Sequence, residues 1–287
     1  MGSQGRFETR QGRPQEGAEP RWKLNWDREG RRMSPWKWLQ VVAVIPVSIV
    51  GADVMPTMFG GKHHHYQSVA MPPRALTTAD IDAEIRKQHL GIFEAIAREF
   101  PDDYDAMLRK VTAAAQTGNP TEVRNVSRQA VADLRHRYAP LLPTTPDSNA
   151  SEVLSAQLDM LNHVMARETP ATCNNYLRNG PDAISAPGHD FLADLDRIGA
   201  TLFRAFGAAK RSGLPAVVPS DQDWSLVADV FKKIGGTPAE MEAISNANQD
   251  FPGLCPAMAK FYEAALLMHG EPGWHIKTAL LRAIVEN

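Results

Sequence analysis

Cys173 and Cys255 are the residues whose chemistry depends most on where the chain resides. In an oxidising compartment two cysteines can join as one disulfide, and with only two in the chain no other intramolecular pairing exists. Such a bridge needs α-carbons about 4.4 to 6.8 Å apart. It would hold a short helix around residues 173–177 against the start of a helix near Pro256, across three intervening helices. In a reducing compartment the same residues are buried thiols that act as small hydrophobes. No flanking pattern marks either one as a catalytic nucleophile.

His63, His64 and His65 form the chain's histidine cluster, between Lys62 and Tyr66. Three imidazoles can ligate zinc or copper, and a bound metal acidifies its water. Consecutive residues in a linker do not preorganise such a site, so a solvated polar tract is the plainer reading. Asp159 and His163 stand one helical turn apart and could bind a metal or share a hydrogen bond. His189, Asp190 and Asp194 form a second polar group, with Arg197 three residues beyond Asp194. The plainer reading of each is a solvated helix surface. Convergence of three or more of these five residues in one pocket would favour catalysis, whereas dispersal would favour binding.

Other chemistry lacks its linear motifs. There is no paired Glu-x-x-His of a di-iron bundle, Cys-x-x-Cys-His for haem, His-Glu-x-x-His for zinc, Gly-x-Ser-x-Gly elbow or Walker phosphate loop. The sequence therefore names no cofactor. Triads are spatial, and a serine nucleophile leaves no necessary trace in sequence. The sequons at Asn125-Val126-Ser127 and Asn149-Ala150-Ser151 matter only in a eukaryotic secretory route.

The elements that must position these residues read as helices. Ile81, Ile85, Ile92, Ile96 and Phe100 form one apolar stripe, with Thr78 as cap and Pro101 as stop. Asp102 and Asp103 open a second helix that Gly118 closes, and Pro120 fits the first turn of a third. Prolines 140, 143 and 146 interrupt the chain before a fourth, carrying Val153 to Met165. A short fifth lies around residues 173–177, and a sixth runs from Phe191 to Phe206. Ser220 caps a seventh, and Thr237-Pro238-Ala239-Glu240 is a capping box for the next. Two more follow around 258–268 and 274–285. Strand signals are nearly absent and no solenoid repeat recurs. The fold class is all-α, an irregular bundle of about nine or ten amphipathic helices over residues 76–287.

Residues 1–37 read as a disordered basic leader, with nine Lys/Arg against five Asp/Glu. Residues 38–52 then run for fifteen positions without a charge. That satisfies a signal h-region of about 7 to 15 residues but falls short of the roughly 20 residues of a membrane span, unless residues up to 59 are included. Residues 38–59 are therefore a signal peptide or a single membrane anchor, and 60–75 a linker. Val50 and Ala52 suit cleavage before Asp53. Translation from Met33 would give a conventional signal and make the first 32 residues a start-site artefact. Arg31-Arg32 also admits a twin-arginine signal. The basic flank puts the body outside the cytoplasm, most simply in a bacterial periplasm.

The apolar fraction of 43% with 22% charged residues excludes wholesale disorder. From Ala75 onward twenty basic residues face twenty-seven acidic ones, a poor surface for tracking phosphates, so nucleic acid is not an expected partner. The expected function is an exported or membrane-anchored binding module that contacts the membrane through its N-terminal segment and a protein or small molecule through its body. The alternatives are an envelope enzyme with catalytic residues on separate helices, and a membrane-tethered spacer.

Overall fold

A computed structural model describes residues 76–246 and 250–286. Among them are eleven α-helices, two 3-10 segments and no strand. The expected leader, apolar segment, linker and histidine cluster at 63–65 lie outside the described residues. No helix of the described residues is long and apolar enough to cross a membrane.

The helices are α1 (Thr78–Lys87), α2 (Gly91–Glu99), α3 (Pro101–Gln116), α4 (Pro120–Tyr138), α5 (Asp147–Arg167) and α6 (Pro170–Asn179). They continue as α7 (His189–Ser212), α8 (Asp221–Lys233), α9 (Pro238–Ser245), α10 (Leu254–Leu267) and α11 (Gly270–Glu286). The 3-10 segments are Ala139–Thr144, which absorbs Pro140 and Pro143, and Gly180–Ala183. The capping box at Thr237 and Glu240 is present, and Ser220 forms another with Asp223. Asn119 and Thr169 cap α4 and α6, each with proline at the first helical position. The short fifth helix is longer than its apolar residues suggested, because Pro170–Thr172 and Arg178–Asn179 extend it at its two ends.

The first stripe is two helices, which raises the count to eleven. Thr77, not Thr78, caps α1 in a box with Asp80. The chain then turns through His89, which sits in the left-handed region at φ 52°. Leu90 supplies no side-chain cap to α2. A carboxylate from α7 does so instead: Asp196 Oδ2 accepts from Gly91 N–H at 2.8 Å and Oδ1 accepts from Ile92 N–H at 3.0 Å. These are two of the orphan donors that every helix start carries. Pro101 begins α3 rather than merely stopping what precedes it.

The long helix α7 is the spine. It packs along α2 and α5, with the Ala139–Thr144 turn against it. Leu195, Ile198, Leu202, Phe203 and Phe206 are buried on it. Its glycines set how near α2 can come. A β-carbon at position 199 would lie 2.5 Å from Ile92 Cδ1, and one at 207 would lie 2.9 Å from Glu99 Cβ. Both are below any normal contact, so Gly199 and Gly207 are required by close packing. Glu99 is pinned there by Arg98 and Arg211. On the other side, α5 also carries α10 and α11, and α8 packs on both of those.

Candidate functional site

Cys173 and Cys255 form a disulfide, with α-carbons 6.0 Å apart. It links the first turns of α6 and α10, and both residues are buried. Asn174 closes the same junction with its side-chain amide. Its Nδ2 donates to Phe251 O at 2.9 Å and its Oδ1 accepts from Cys255 N–H at 3.3 Å. The amide thus repeats in hydrogen bonds what the adjacent sulfurs do covalently.

Of the five candidate polar residues, Asp159, Asp194 and His163 are strung along one seam through Arg197 and do not gather around a common point. Helices α5 and α7 are laced along one seam by ion pairs. Arg197 Nη2 reaches Asp159 Oδ2 at 2.8 Å and Asp194 Oδ1 at 3.5 Å. His163 Nδ1 contacts the other Asp194 oxygen at 3.0 Å. One turn further along, Arg167 pairs with Asp190 at 3.0 Å, and towards the other end Arg204 pairs with Glu152 at 3.3 Å. Asp159 and His163 do not bond to each other, because each finds a partner on the facing helix. Asp190 is exposed and separate from the three-residue group, and His189 is exposed at the first position of α7.

The chemistry of this seam is matched charge. Asp159, Asp194, Arg197 and His163 satisfy one another and stand partly in solvent, where each pair is worth about 0–1 kcal/mol. Beneath them lies Tyr176, fully buried, whose hydroxyl has no hydrogen-bond partner among the described residues. Burial drives that phenol above its ordinary range, and the charge of Asp194 adds to the effect. Among the described residues no group of three or more His, Cys, Asp and Glu could hold a metal ion.

A second polar junction was not legible in the sequence. Lys277 on α11 is buried, yet its ammonium lies against three oxygens, two from the start of α5 and one from the residue that follows α10. Asp147 Oδ1 is 2.6 Å away, Ser151 Oγ 3.1 Å and Met268 O 3.3 Å. Asp147 and Ser151 occupy the first and second turns of α5, one helical turn apart. Gly273 lets α11 approach, since a β-carbon there would lie 2.6 Å from Met268 O. Trp274 Nε1 donates to Thr145 O at 2.7 Å and pins the entry of α5 from the same helix. Three elements therefore converge on one buried amine. No linear signal announces it, because Ser151 and Lys277 are 126 residues apart.

Beside that junction His275 Nδ1 meets Asp223 Oδ2 at 3.1 Å, joining α11 to the start of α8. The same oxygen accepts from Ser220 N–H and Oγ–H at 2.8 and 2.9 Å. Burial opposes ionisation of Asp223, but the Ser220 and His275 hydrogen bonds prevail and hold its carboxyl below the usual range. Serine and histidine both bond to the aspartate and not to each other, so this is a helix cap with a histidine buttress, not a nucleophile–base pair. Asp196, the cap of α2, behaves oppositely. Its burial outweighs the two backbone hydrogen bonds and raises its pKa.

No protein-family model, curated protein or solved structure matches this chain.

Proposed function

We propose that this chain works outside the cytoplasm, as an exported or membrane-anchored helical protein whose body is a binding or interaction module of the cell envelope. The observation that carries the reading is the buried Cys173–Cys255 disulfide, a bond that forms and persists in oxidising compartments and is rare in reducing ones. The uncharged run at residues 38–52 behind a basic leader supports the same address. For the binding role, the extended stretch between α7 and α8 offers exposed apolar side chains, Leu214 and Val218. The seam charges of α5 and α7 are spent on one another, which suits a scaffold better than a reaction centre.

The test is N-terminal sequencing of the natural product together with cell fractionation. The reading expects a mature chain beginning at Asp53, or a chain retained in the membrane fraction through residues 38–59. Full-length chain in the soluble cytoplasm would refute both forms.

A second reading, an envelope enzyme with catalytic residues drawn from separate helices, is favoured by one observation. Ser151 and Lys277, on α5 and α11, stand within hydrogen-bond distance with an acid beside them.

A further inference from the structure

We propose that the Ala216–Val217 peptide bond is a processing site for an endopeptidase with a small apolar specificity pocket, and that its product is a two-chain molecule held by the Cys173–Cys255 disulfide. Neither the envelope reading nor the enzyme reading is needed for it.

No turn or bend interrupts residues 213–220, the link between α7 and α8. Pro215 and Pro219 fix their own φ at about −65° and keep Leu214 and Val218 out of helical conformations. The link is therefore held extended, the form in which an endopeptidase takes its substrate as an added strand. Such an enzyme bonds the residue before the scissile bond and the residues two places to either side of it. In an extended chain successive N–H groups point to opposite edges. Val217 N–H points inward and donates to Pro143 O at 3.1 Å. Ala216 and Val218 consequently lie on the outer edge, and their N–H groups have no hydrogen-bond partner among the described residues. Leu214, Ala216 and Val218 are also the residues with exposed side chains, Val218 at 68%.

The backbone singles out one bond. Gly213 lies in the left-handed region at φ 61°, so the Gly213–Leu214 bond falls outside the extended run. The Leu214–Pro215 and Val218–Pro219 bonds are tertiary amides whose ring nitrogens such enzymes do not release. Cleavage of Pro215–Ala216 needs an N–H on the residue before the bond, and proline has none. Cleavage of Val217–Val218 needs the N–H that Pro143 already holds. Ala216–Val217 remains. Its pairing residues are Leu214, Ala216 and Val218, all on the outer edge, and the alanine methyl suits the small pocket of an elastase-type enzyme. Hydrolysis adds one water across the bond, leaving a carboxylate on Ala216 and an amine on Val217.

The cut uncaps neither helix. Ser212 Oγ at the end of α7 donates to Thr144 O at 2.9 Å and accepts from Leu214 N–H at 3.2 Å, both on the same side of the cut. Ser220 and Asp223 cap α8 through their own box. Residues 76–216 keep α1 to α7, and the piece from Val217 onward keeps α8 to α11, with α10 and α11 packed on α5. Cys173 lies before the cut and Cys255 after it, so the disulfide joins the two pieces.

The experiment treats the full chain, disulfide intact, with elastase at a low ratio and maps the first cut within residues 76–286 by gel and mass spectrometry. The pieces on either side of the cut should run together without reductant and apart with it, the second beginning Val217-Val218-Pro219-Ser220. Ala216→Asp, an exposed change that the pocket refuses, should slow the cut at least about tenfold with an unchanged urea midpoint, and Ala216→Val should restore it. A first cut at any other bond, Val217–Val218 included, or a chain left uncut would overturn the proposal. So would an equal rate in Ala216→Asp, or pieces that separate without reductant. In protein taken from the cells that make it, a chain beginning at Val217 is expected after reduction; uncut chain alone would overturn the processing role.

Discussion

Reducing the Cys173–Cys255 bond should cost most of the stability that a single covalent change can remove from this fold. The bridge closes a loop with a sequence separation of 82. On the chain-entropy relation that restriction of the unfolded state is worth about 4.5 kcal/mol at 25 °C. The two Asn174 hydrogen bonds across the same junction do not involve sulfur, so the loss is assigned to the unfolded side. Urea unfolding followed by far-ultraviolet circular dichroism measures it. With a slope of about 2–3 kcal/mol/M for a domain of this size, the midpoint should fall by about 1.5–2.3 M in the Cys173→Ala/Cys255→Ala chain. Both sulfurs are buried, so reduction of the native protein by dithiothreitol requires opening and should accelerate steeply with added urea. A midpoint shift under about 0.5 M, or reduction as fast in buffer as in urea, would refute the reasoning.

Asp196→Ala removes both carboxylate acceptors from the start of α2 and should destabilise by about 1–3 kcal/mol in urea titration; no change would mean α2 needs no cap from α7. Gly207→Ala should cost about 1–3 kcal/mol through overpacking against Glu99, and Gly199→Ala similarly against Ile92; neutral midpoints would show that the crossing can widen freely. The pH dependence follows from the carboxylates. Asp82, Glu99, Asp223 and Glu240 have folded pKa values below their ordinary ones, so they contribute stability above pH 3.8 to 4.5 that is lost as pH falls through the folded values. Asp196, raised by burial, runs the other way and gains relative stability as pH falls from its raised value towards 3.8. The urea midpoint should therefore drop between about pH 5 and pH 3, and drop more steeply in Asp196→Ala than in the wild type. A flat profile, or a shallower one in the variant, would contradict the assignment.

Elements bounded by local chemistry were legible in the sequence. The box at Thr237 and Glu240, the Ser220 cap and the first-turn Pro120 all act within three residues, and each bounds its helix where the sequence indicates. The break after α1 was not legible. The apolar period runs unchanged from Ile85 to Ile92, and the group that starts α2 is Asp196, more than 100 residues away. The disulfide could be read because two cysteines admit one pairing. For the charged seam, sequence placed Asp159 beside His163 on one face but could not tell that α7 would supply the partner of each. The Asp147–Ser151–Lys277 junction depends on α11 returning to the start of α5, a fact of topology with no local trace.

The central claim is that the chain matures in an oxidising compartment. Thiol trapping in the cells that make the protein tests it most directly. Free thiols are blocked in intact cells, the protein is denatured and reduced, and newly exposed cysteines are tagged with a maleimide polymer that shifts the band on a gel. Blocked without reduction, Cys173 and Cys255 should take no tag; after reduction both should, and the doubly tagged chain should partition outside the cytoplasm. Two thiols already blocked before reduction, on full-length chain in the cytoplasmic fraction, would contradict the account.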